Sequence, residues 1–381
     1  MEKYKIPFNK PFFTGNETIY INNAVNKGKI SGNGYYTKKC HHFFENNFKI
    51  EKALLTTSCT DALEMAAILC EIKEGDEVIL PSYTFVSTAN AFLLRGAKLV
   101  FCDSKKEHPN IDENKIESLI TERTKVIVPV HYAGVACEME KIMVIAKRYN
   151  LIVVEDAAQA IDSYFTYKDG TTRALGSIGQ LSAFSFHETK NIISGEGGLL
   201  GINDTKYIKR AEIIWEKGTN RSSFFRGEID KYGWVDIGSS FLASEITAAC
   251  LWAQLEKLEL IQKIRSDLWN HYEELLKEHL EKKKRPTIPN YASNNSHIYY
   301  LVCESLSERN MLINKLKEKS ILAVFHYLPL HKSPFFEKHY KGVELDYCDY
   351  FSERLLRLPL FNELSKENQI EIVDTIISNL N

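Results

Sequence analysis

The chain has 381 residues, 44% of them hydrophobic and 26% charged, with a formal net charge of −2, which fits a globular protein with room for one large or two ordinary domains. Near-neutral charge gives no general pull toward nucleic acid or an anionic membrane, and no apolar run approaches the roughly 20 residues of a membrane span. The opening MEKYKIPFNKPFFTGNE lacks the apolar centre of a signal peptide, so a cytoplasmic location is expected.

From residue 61 helical and strand patterns alternate. DALEMAAILCEI (61–72) carries helical spacing, DEVILP (76–81) is a short apolar run closed by proline, and TFVSTANAFLLRG (84–96) is helical again and ends on glycine. AKLVFCD (97–103), KVIVPVH (125–131) and LIVVED (151–156) are further strand-like runs, with a helix predicted in ACEMEKIMVIAKRYN (136–150). Strands this uniformly apolar suit a parallel sheet covered on both faces, and the alternation predicts an α/β doubly wound architecture. LSAFSF (181–186) and GGLLGIN (197–203) read as two more strands, and DTKYIKRAEIIWEKG (204–218) as a helix with a glycine stop. A helical pattern from Leu242 to Lys284 exceeds one ordinary helix and reads as one bent helix or two, leading to a smaller domain. That domain holds HIYYLVC (297–303), a helix near 307–319, ILAVFHY (321–327) and a last helix near 365–379, an α+β pattern. The run EHLEKKKRP (278–286) reads as a solvated helix end. Eight scattered cysteines form no CxxC pair; they predict no disulfide framework and no metal site, and, Cys59 apart, most read as small buried hydrophobes.

Open α/β sheets bind ligands beyond the carboxyl ends of their strands. LIVVED ends there in Asp156, and the strand of AFSFHETKNIISGEGG (183–198) leads to Lys190. A lysine amine walled by apolar residues and a glycine-rich loop can lose its proton and become a nucleophile. An aspartate at a strand end is also an ordinary helix N-cap. Asp and Lys at neighbouring strand ends, however, are what pyridoxal phosphate requires: the lysine bonds its aldehyde, and the carboxylate keeps its ring nitrogen protonated. The phosphate needs donors. TTSCTDALEM (56–65) places Ser58, Cys59 and Thr60 at a helix start, where hydroxyls and free N–H groups make an anion site. Cys59 would contribute its N–H rather than its thiol. Ser185 lies on the same edge, and Phe85 in SYTFVSTAN (82–90) offers a stacking face for the ring.

The ordered set PFNKP, ISGNGYYT, TTSCTDAL, PSYTFVSTANAF, VPVHYAG, VVEDAAQA, FSFHETKN with EGG, and FHYLPLH resembles the DegT/DnrJ/EryC1/StrS family of sugar aminotransferases over nearly the whole chain. The resemblance implies the aspartate aminotransferase type I fold of pyridoxal-phosphate-dependent transferases. It comprises a large cofactor-binding domain with a mostly parallel mixed sheet, here 1–255, and a smaller α+β domain, here 256–381. It also implies homodimers with shared active sites. Position by position, Lys190 matches the cofactor-bonding lysine, Asp156 the partner of the ring nitrogen, and Gln159 the residue near the ring hydroxyl. Phe85 matches the stacking aromatic, and Ser58, Cys59, Thr60 and Ser185 match phosphate contacts. Many members complete the phosphate site with G-x-N-x-R from the second subunit; GSSFLASE (238–245) puts Ser240 for the asparagine and Leu242 for the arginine.

His326 and Tyr327 match a pair that helps hold the sugar nucleotide, and His187 matches a hexose contact. Asn220 and Arg221, in KGTNR, are further substrate candidates without a family match. Members that dehydrate instead of transaminating carry histidine in place of Lys190. FSFHETKN, SCTDALEMAA, PVHYAGVACEM and EKGTNRSSFFRGEIDKY most resemble the subgroup that aminates dTDP-4-dehydro-6-deoxyglucose with L-glutamate. Its product is dTDP-4-amino-4,6-dideoxygalactose, for surface polysaccharide. Relatives that act at C3 usually carry tyrosine where this chain has His187. Two alternatives stay open: another keto-sugar, 3-keto or UDP-linked, and a non-enzymatic cofactor-bound regulator. The Lys190–Asp156 pair and the lack of a basic recognition segment count against the regulator.

Overall fold

The computed structural model describes residues 4–380. At its centre is a sheet built from β1 (Lys52–Thr56), β2 (Glu77–Pro81), β3 (Lys98–Cys102), β4 (Thr124–Ile127) and β5 (Ile152–Asp156). A two-stranded hairpin, β6 (Tyr164–Thr166) with β7 (Thr172–Ala174), follows, and then β8 (Leu181–Ser185) and β9 (Gly198–Ile202) complete the sheet. The order of its seven strands is β1-β9-β8-β5-β4-β2-β3. β9 runs antiparallel to β1 and β8, while the other neighbours are parallel. This is the mostly parallel mixed sheet expected from the sequence.

The strands read as continuous apolar runs because successive residues serve opposite cores. On β2, Val78 and Leu80 enter one core and Ile79 the other; on β5, Val154 and Val153 divide the same way. The first core is covered by helices Cys59–Leu69, Val86–Leu93 and Ile208–Trp215, the second by Tyr35–Asn47, Met139–Arg148 and Glu245–Leu255. The helical pattern from Leu242 onward is two helices, Glu245–Leu255 and Leu258–Leu276. They break at Lys257, whose ψ of 16° leaves the helical range.

The smaller unit carries β10 (Tyr300–Val302), β11 (Val324–Phe325) and β12 (Leu355–Arg357) in the antiparallel order β10-β12-β11. Trp269, Tyr272, Leu316 and Ile372 from three helices back it with a third core. The basic run at 278–286 is less solvated than its composition suggests: Arg285 is buried and pairs with Glu273 of helix Leu258–Leu276.

Two of the quoted motifs hold each other. Glu245 of GSSFLASE is buried and accepts hydrogen bonds from the N–H groups of Gly34, Tyr36 and Thr37 at the start of helix Tyr35–Asn47. A carboxylate there meets the positive end of the helix. A Cβ on Gly34 would stand 2.5 Å from the Glu245 carboxyl carbon, so only glycine allows this approach. Ser240 is placed by this anchored segment.

Candidate active site

The carboxyl ends of β1, β2, β4, β5 and β8 open on one edge of the sheet, around a cavity of about 560 Å³. Asp156 ends β5 and is buried in its wall. Thr88 Oγ1 donates to Asp156 Oδ2 at 2.7 Å, and the Ala158 N–H to Oδ1 at 3.1 Å. With its proton committed to Asp156, the Thr88 hydroxyl accepts from Thr84 Oγ1, 2.9 Å away. Burial pushes the Asp156 carboxyl above the usual aspartate value, against the pull of Thr88, Ala158 and the nearby Lys190. A carboxylate that stays partly short of compensation is poised to take a cationic N–H partner.

Lys190 follows β8 by five residues, in a turn closed by its own N–H on the His187 carbonyl at 2.9 Å. Its side chain lines the same cavity. Desolvation holds the amine below the usual lysine value; Asp156 opposes this shift and Arg357 adds to it. A lysine with a depressed pKa is a better nucleophile and base at neutral pH.

Ser58, Cys59 and Thr60 meet the cavity at the start of helix Cys59–Leu69. Ser58 is the extended N-cap (φ −156°, ψ 165°), and its Oγ accepts from the Asp61 N–H at 3.1 Å. The N–H groups of Cys59 and Thr60 have no acceptor among the described residues, the free donors an anion needs. Burial raises the Cys59 thiol well above its usual value, so the thiol is neutral and the backbone is the useful donor. Thr60 Oγ1 lies 2.8 Å from Ser87 Oγ, which brings a hydroxyl from the next helix to the same rim. Gly198 of β9 closes the cradle: a Cβ there would fall 2.3 Å from the Ser58 carbonyl carbon. Ser185 ends β8 opposite Gly198 and also lines the cavity.

Gln159 is fixed by two bonds: its Oε1 accepts from the Ala133 N–H at 2.7 Å, and its Nε2 donates to the Tyr327 hydroxyl at 3.2 Å. Phe85 is the N-cap of helix Val86–Leu93, 56% exposed, with its ring 6.2 Å from that of Tyr327. His187 stands at the rim, its Nδ1 2.9 Å from Thr189 Oγ1. His326 has both ring nitrogens engaged: Nδ1 with the Tyr132 hydroxyl at 2.9 Å, and Nε2 with Arg357 Nη1 at 3.1 Å.

Three candidates lie outside this cavity in the single chain. Asn220 Oδ1 accepts from the Gly233 N–H at 2.8 Å. Arg221 stacks on Phe225, 5.1 Å from its ring centroid. Ser240 is exposed and bridges to Glu216. Conversely, Thr84, Ser87, Thr88, His297 and Arg357 line the cavity without having been singled out in the sequence. Thr88 lies one helical turn past the end of the β2 loop, a position from which its hydroxyl faces β5; no local pattern marks His297 or Arg357.

A family model described as the DegT/DnrJ/EryC1/StrS aminotransferase family matches residues 13–377. The chain belongs to that family. Within it, this aminotransferase is 31% identical to GDP-perosamine synthase of Escherichia coli O157:H7, with 97% of each chain covered. It is 30% identical to the spore coat polysaccharide biosynthesis protein SpsC of Bacillus subtilis, covering 97% of this chain and 96% of SpsC. Its fold superposes on the PLP-form of the sugar aminotransferase Spr1654 from Streptococcus pneumoniae with a TM-score of 0.89, at 25% identity and over 99% and 98% of the two chains. It is a sugar aminotransferase that depends on pyridoxal phosphate. The residues present suit that cofactor: a buried carboxylate, a desolvated lysine, and unpaired N–H groups with hydroxyls at a helix start. No helix among the described residues is long and apolar enough to cross a membrane, and no cluster of His, Cys, Asp and Glu among them has the makings of a metal site.

Proposed function

We propose that this aminotransferase converts dTDP-4-dehydro-6-deoxy-D-glucose and L-glutamate into dTDP-4-amino-4,6-dideoxy-D-galactose and 2-oxoglutarate, for a surface polysaccharide. The observation that carries the reading is one cavity that runs from Lys190 and Asp156 to His187 and Tyr327 at its rim. It offers a sugar room beyond the reacting groups. His187, where relatives acting at C3 usually carry tyrosine, favours C4. SpsC supports a polysaccharide as the destination.

Pyridoxal phosphate, when bound, supplies an aldehyde that takes up the amino group and a ring that accepts electrons. Asp156 would hold the ring nitrogen's proton, with Thr88 and Ala158 fixing the carboxylate. The Cys59 and Thr60 N–H groups, with Ser58, Thr60 and Ser185, would hold the phosphate; Gln159 would sit beside the ring hydroxyl and Phe85 on the ring face. Lys190 Nζ would take the proton from the α-carbon of glutamate and, in the second half of the cycle, deliver one to C4 of the sugar. General acid–base action of this kind contributes about 10² to 10⁴ in rate.

The test is a panel of dTDP-, UDP- and GDP-linked 4-keto-6-deoxy sugars and a 3-keto isomer, each with L-glutamate, followed by mass spectrometry. The dTDP-4-keto sugar should gain nitrogen fastest. Faster amination of a GDP- or UDP-linked or 3-keto substrate would overturn the assignment.

The active form would be a homodimer in which Ser240 reaches the neighbour's phosphate site. An exposed apolar row supports this: Phe225, Tyr232, Trp234 (82% exposed), Val235 and Ile237 precede the exposed Ser240. Exposed apolar groupings of this kind mark interaction surfaces. A chain carrying both Lys190→Ala and Ser240→Trp, paired with a wild-type chain, should be inactive. The wild-type lysine would then face the tryptophan, while the other site has no lysine. Half the wild-type activity in that heterodimer, or an active monomer by light scattering, rules out the shared site.

A further inference from the structure

FHYLPLH ends in His331, which the function above does not use. His331 is 5% exposed and joins two parts of the fold. On one side is Ser82, which follows β2 and has no exposed surface. Ser82 Oγ lies 2.7 Å from His331 Nδ1 and accepts from the His331 N–H at 3.1 Å, while the Ser82 carbonyl accepts from the Leu330 N–H at 2.9 Å. On the other side is Asp349, in helix Asp346–Arg354. Its Oδ1 faces His331 Nε2 at 3.4 Å and, although buried, has no hydrogen-bond partner among the described residues; its Oδ2 pairs with Lys332 at 2.6 Å. Burial holds the imidazole below the usual histidine value, against the pull of Asp349, so the ring is neutral and carries one proton. On Nε2 that proton faces the carboxylate, and Nδ1 accepts from the Ser82 hydroxyl. On Nδ1 it would leave a lone pair set against Asp349.

The order Ser–His–Asp is that of a hydrolase triad. Ser82 cannot serve as a nucleophile, because it is sealed from solvent and does not line the cavity. What the three residues hold is a loop. Residues 326–331 run from β11 to the end of β2. His326 fixes one end on Tyr132 and Arg357, and His331 fixes the other. Tyr327, between them, forms part of the cavity wall. We propose that the Ser82–His331–Asp349 chain is a latch that positions Tyr327 against the nucleotide sugar. His331 is thus a positioning residue for the second half of the cycle, acting through Tyr327. β2 is held by its neighbours in the sheet, and the Ser82 N–H by the Cys102 carbonyl at 3.3 Å, whereas the loop belongs to no strand. Opening the latch therefore frees the loop and leaves Lys190 and Asp156 in place. The inner end of the cavity, where the amino donor must reach Lys190, keeps its shape; the rim, where the sugar extends, does not. The inference rests on Tyr327 facing the sugar, as in the function proposed above.

The experiment uses whichever nucleotide keto-sugar the wild type aminates fastest, so a different sugar overturns the proposed function and leaves this test intact. Ser82→Ala, His331→Leu and His331→Asn are compared with the wild type, each loaded with cofactor. In Ser82→Ala and His331→Leu the half-saturating sugar concentration should rise about 10-fold, as for a buried hydrogen bond lost. Half-saturation by glutamate, and the single-turnover rate with glutamate, should stay at their wild-type values. His331→Asn restores an acceptor near the place of Nδ1 and should recover much of the loss. Ser82→Ala combined with His331→Leu should be no worse than either alone, because both break one interaction. Ser82→Ala, which removes a single oxygen, carries the test alone if the histidine variants do not fold. An equal rise for glutamate and sugar overturns the proposal, as does an additive double variant. Unchanged kinetic constants with only a lower unfolding temperature overturn it too, and make the three residues scaffold.

Discussion

Lys190→Ala should abolish transamination and leave the protein folded and able to retain its cofactor loosely. The argument starts from where the charge sits. Lys190 lines the cavity, and burial already holds its amine below the ordinary lysine value. Removing it deletes the amine proposed to take and return protons, and no second lysine lines that cavity. The groups proposed to hold the phosphate are on other elements: the start of helix Cys59–Leu69 and Ser185 at the end of β8. Cofactor should therefore still bind through its phosphate. Unfolding should shift little, because the alanine variant loses a desolvated cation rather than a packed core residue. Two measurements check this. Borohydride treatment of the loaded wild type, followed by proteolysis, should leave the cofactor's mass on the peptide containing Lys190. The alanine variant should show no turnover, with a loss of at least about 10⁴-fold. Cofactor mass on a peptide from another lysine, or turnover within tenfold of wild type in the variant, overturns the role given to Lys190.

Much of the sheet was legible because its strands are buried on both faces. Val78, Ile79 and Leu80 alternate between two cores, so the sequence has no polar side to obscure the run. β12 was not legible for the opposite reason. Leu355–Arg357 is three residues long and follows helix Asp346–Arg354 without a glycine or proline to mark the change. Its last residue, Arg357, therefore reads as one more surface charge, although the fold carries it into the cavity.

KVIVPVH behaves differently again. The strand stops at Ile127, two residues before Pro129, which has no N–H for a ladder. The freed segment still matters: the Pro129 carbonyl accepts from the Asp156 N–H at 2.9 Å, and the Asp156 carbonyl from the His131 N–H at 3.1 Å. The motif that reads as a strand end thus holds the end of its neighbour that lines the cavity. Local chemistry, such as the Ser58 cap and the glycines around Lys190, is written next to the residues it serves. Contacts that join distant segments, as Thr88 does with Asp156 across 68 residues and Arg357 does with His326 across 31, depend on the assembled sheets and leave no mark in the sequence around them.

Asp156→Asn should slow both halves of the cycle and weaken cofactor retention without destabilising the cofactor-free protein. Asparagine has nearly the shape of aspartate and caps a helix as well, so a purely structural Asp156 would tolerate the change. What asparagine lacks is charge. Burial raises the folded-state pKa of Asp156 above its unfolded value. A carboxyl shifted upward favours folding least when it is ionised, and its contribution improves as the pH falls through the shifted value. At neutral pH the ionised side chain is a cost to the cofactor-free fold, and the asparagine variant should unfold at the same temperature or slightly higher. The cost is reversed when a protonated ring nitrogen arrives to pair with the carboxylate. Losing one charge-assisted hydrogen bond weakens binding by about 1.5–3 kcal/mol. Losing the charge that stabilises the electron-accepting ring should cost about 10² to 10³ in kcat. Equilibrium dialysis of the cofactor, thermal unfolding of the cofactor-free proteins, and single-turnover rates with glutamate and with the keto-sugar separate these effects. A variant that turns over within a few fold of wild type would reduce Asp156 to a helix cap. A variant that loses stability without cofactor would make the carboxylate part of the scaffold, with Thr88 and Ala158 as its reason for being there.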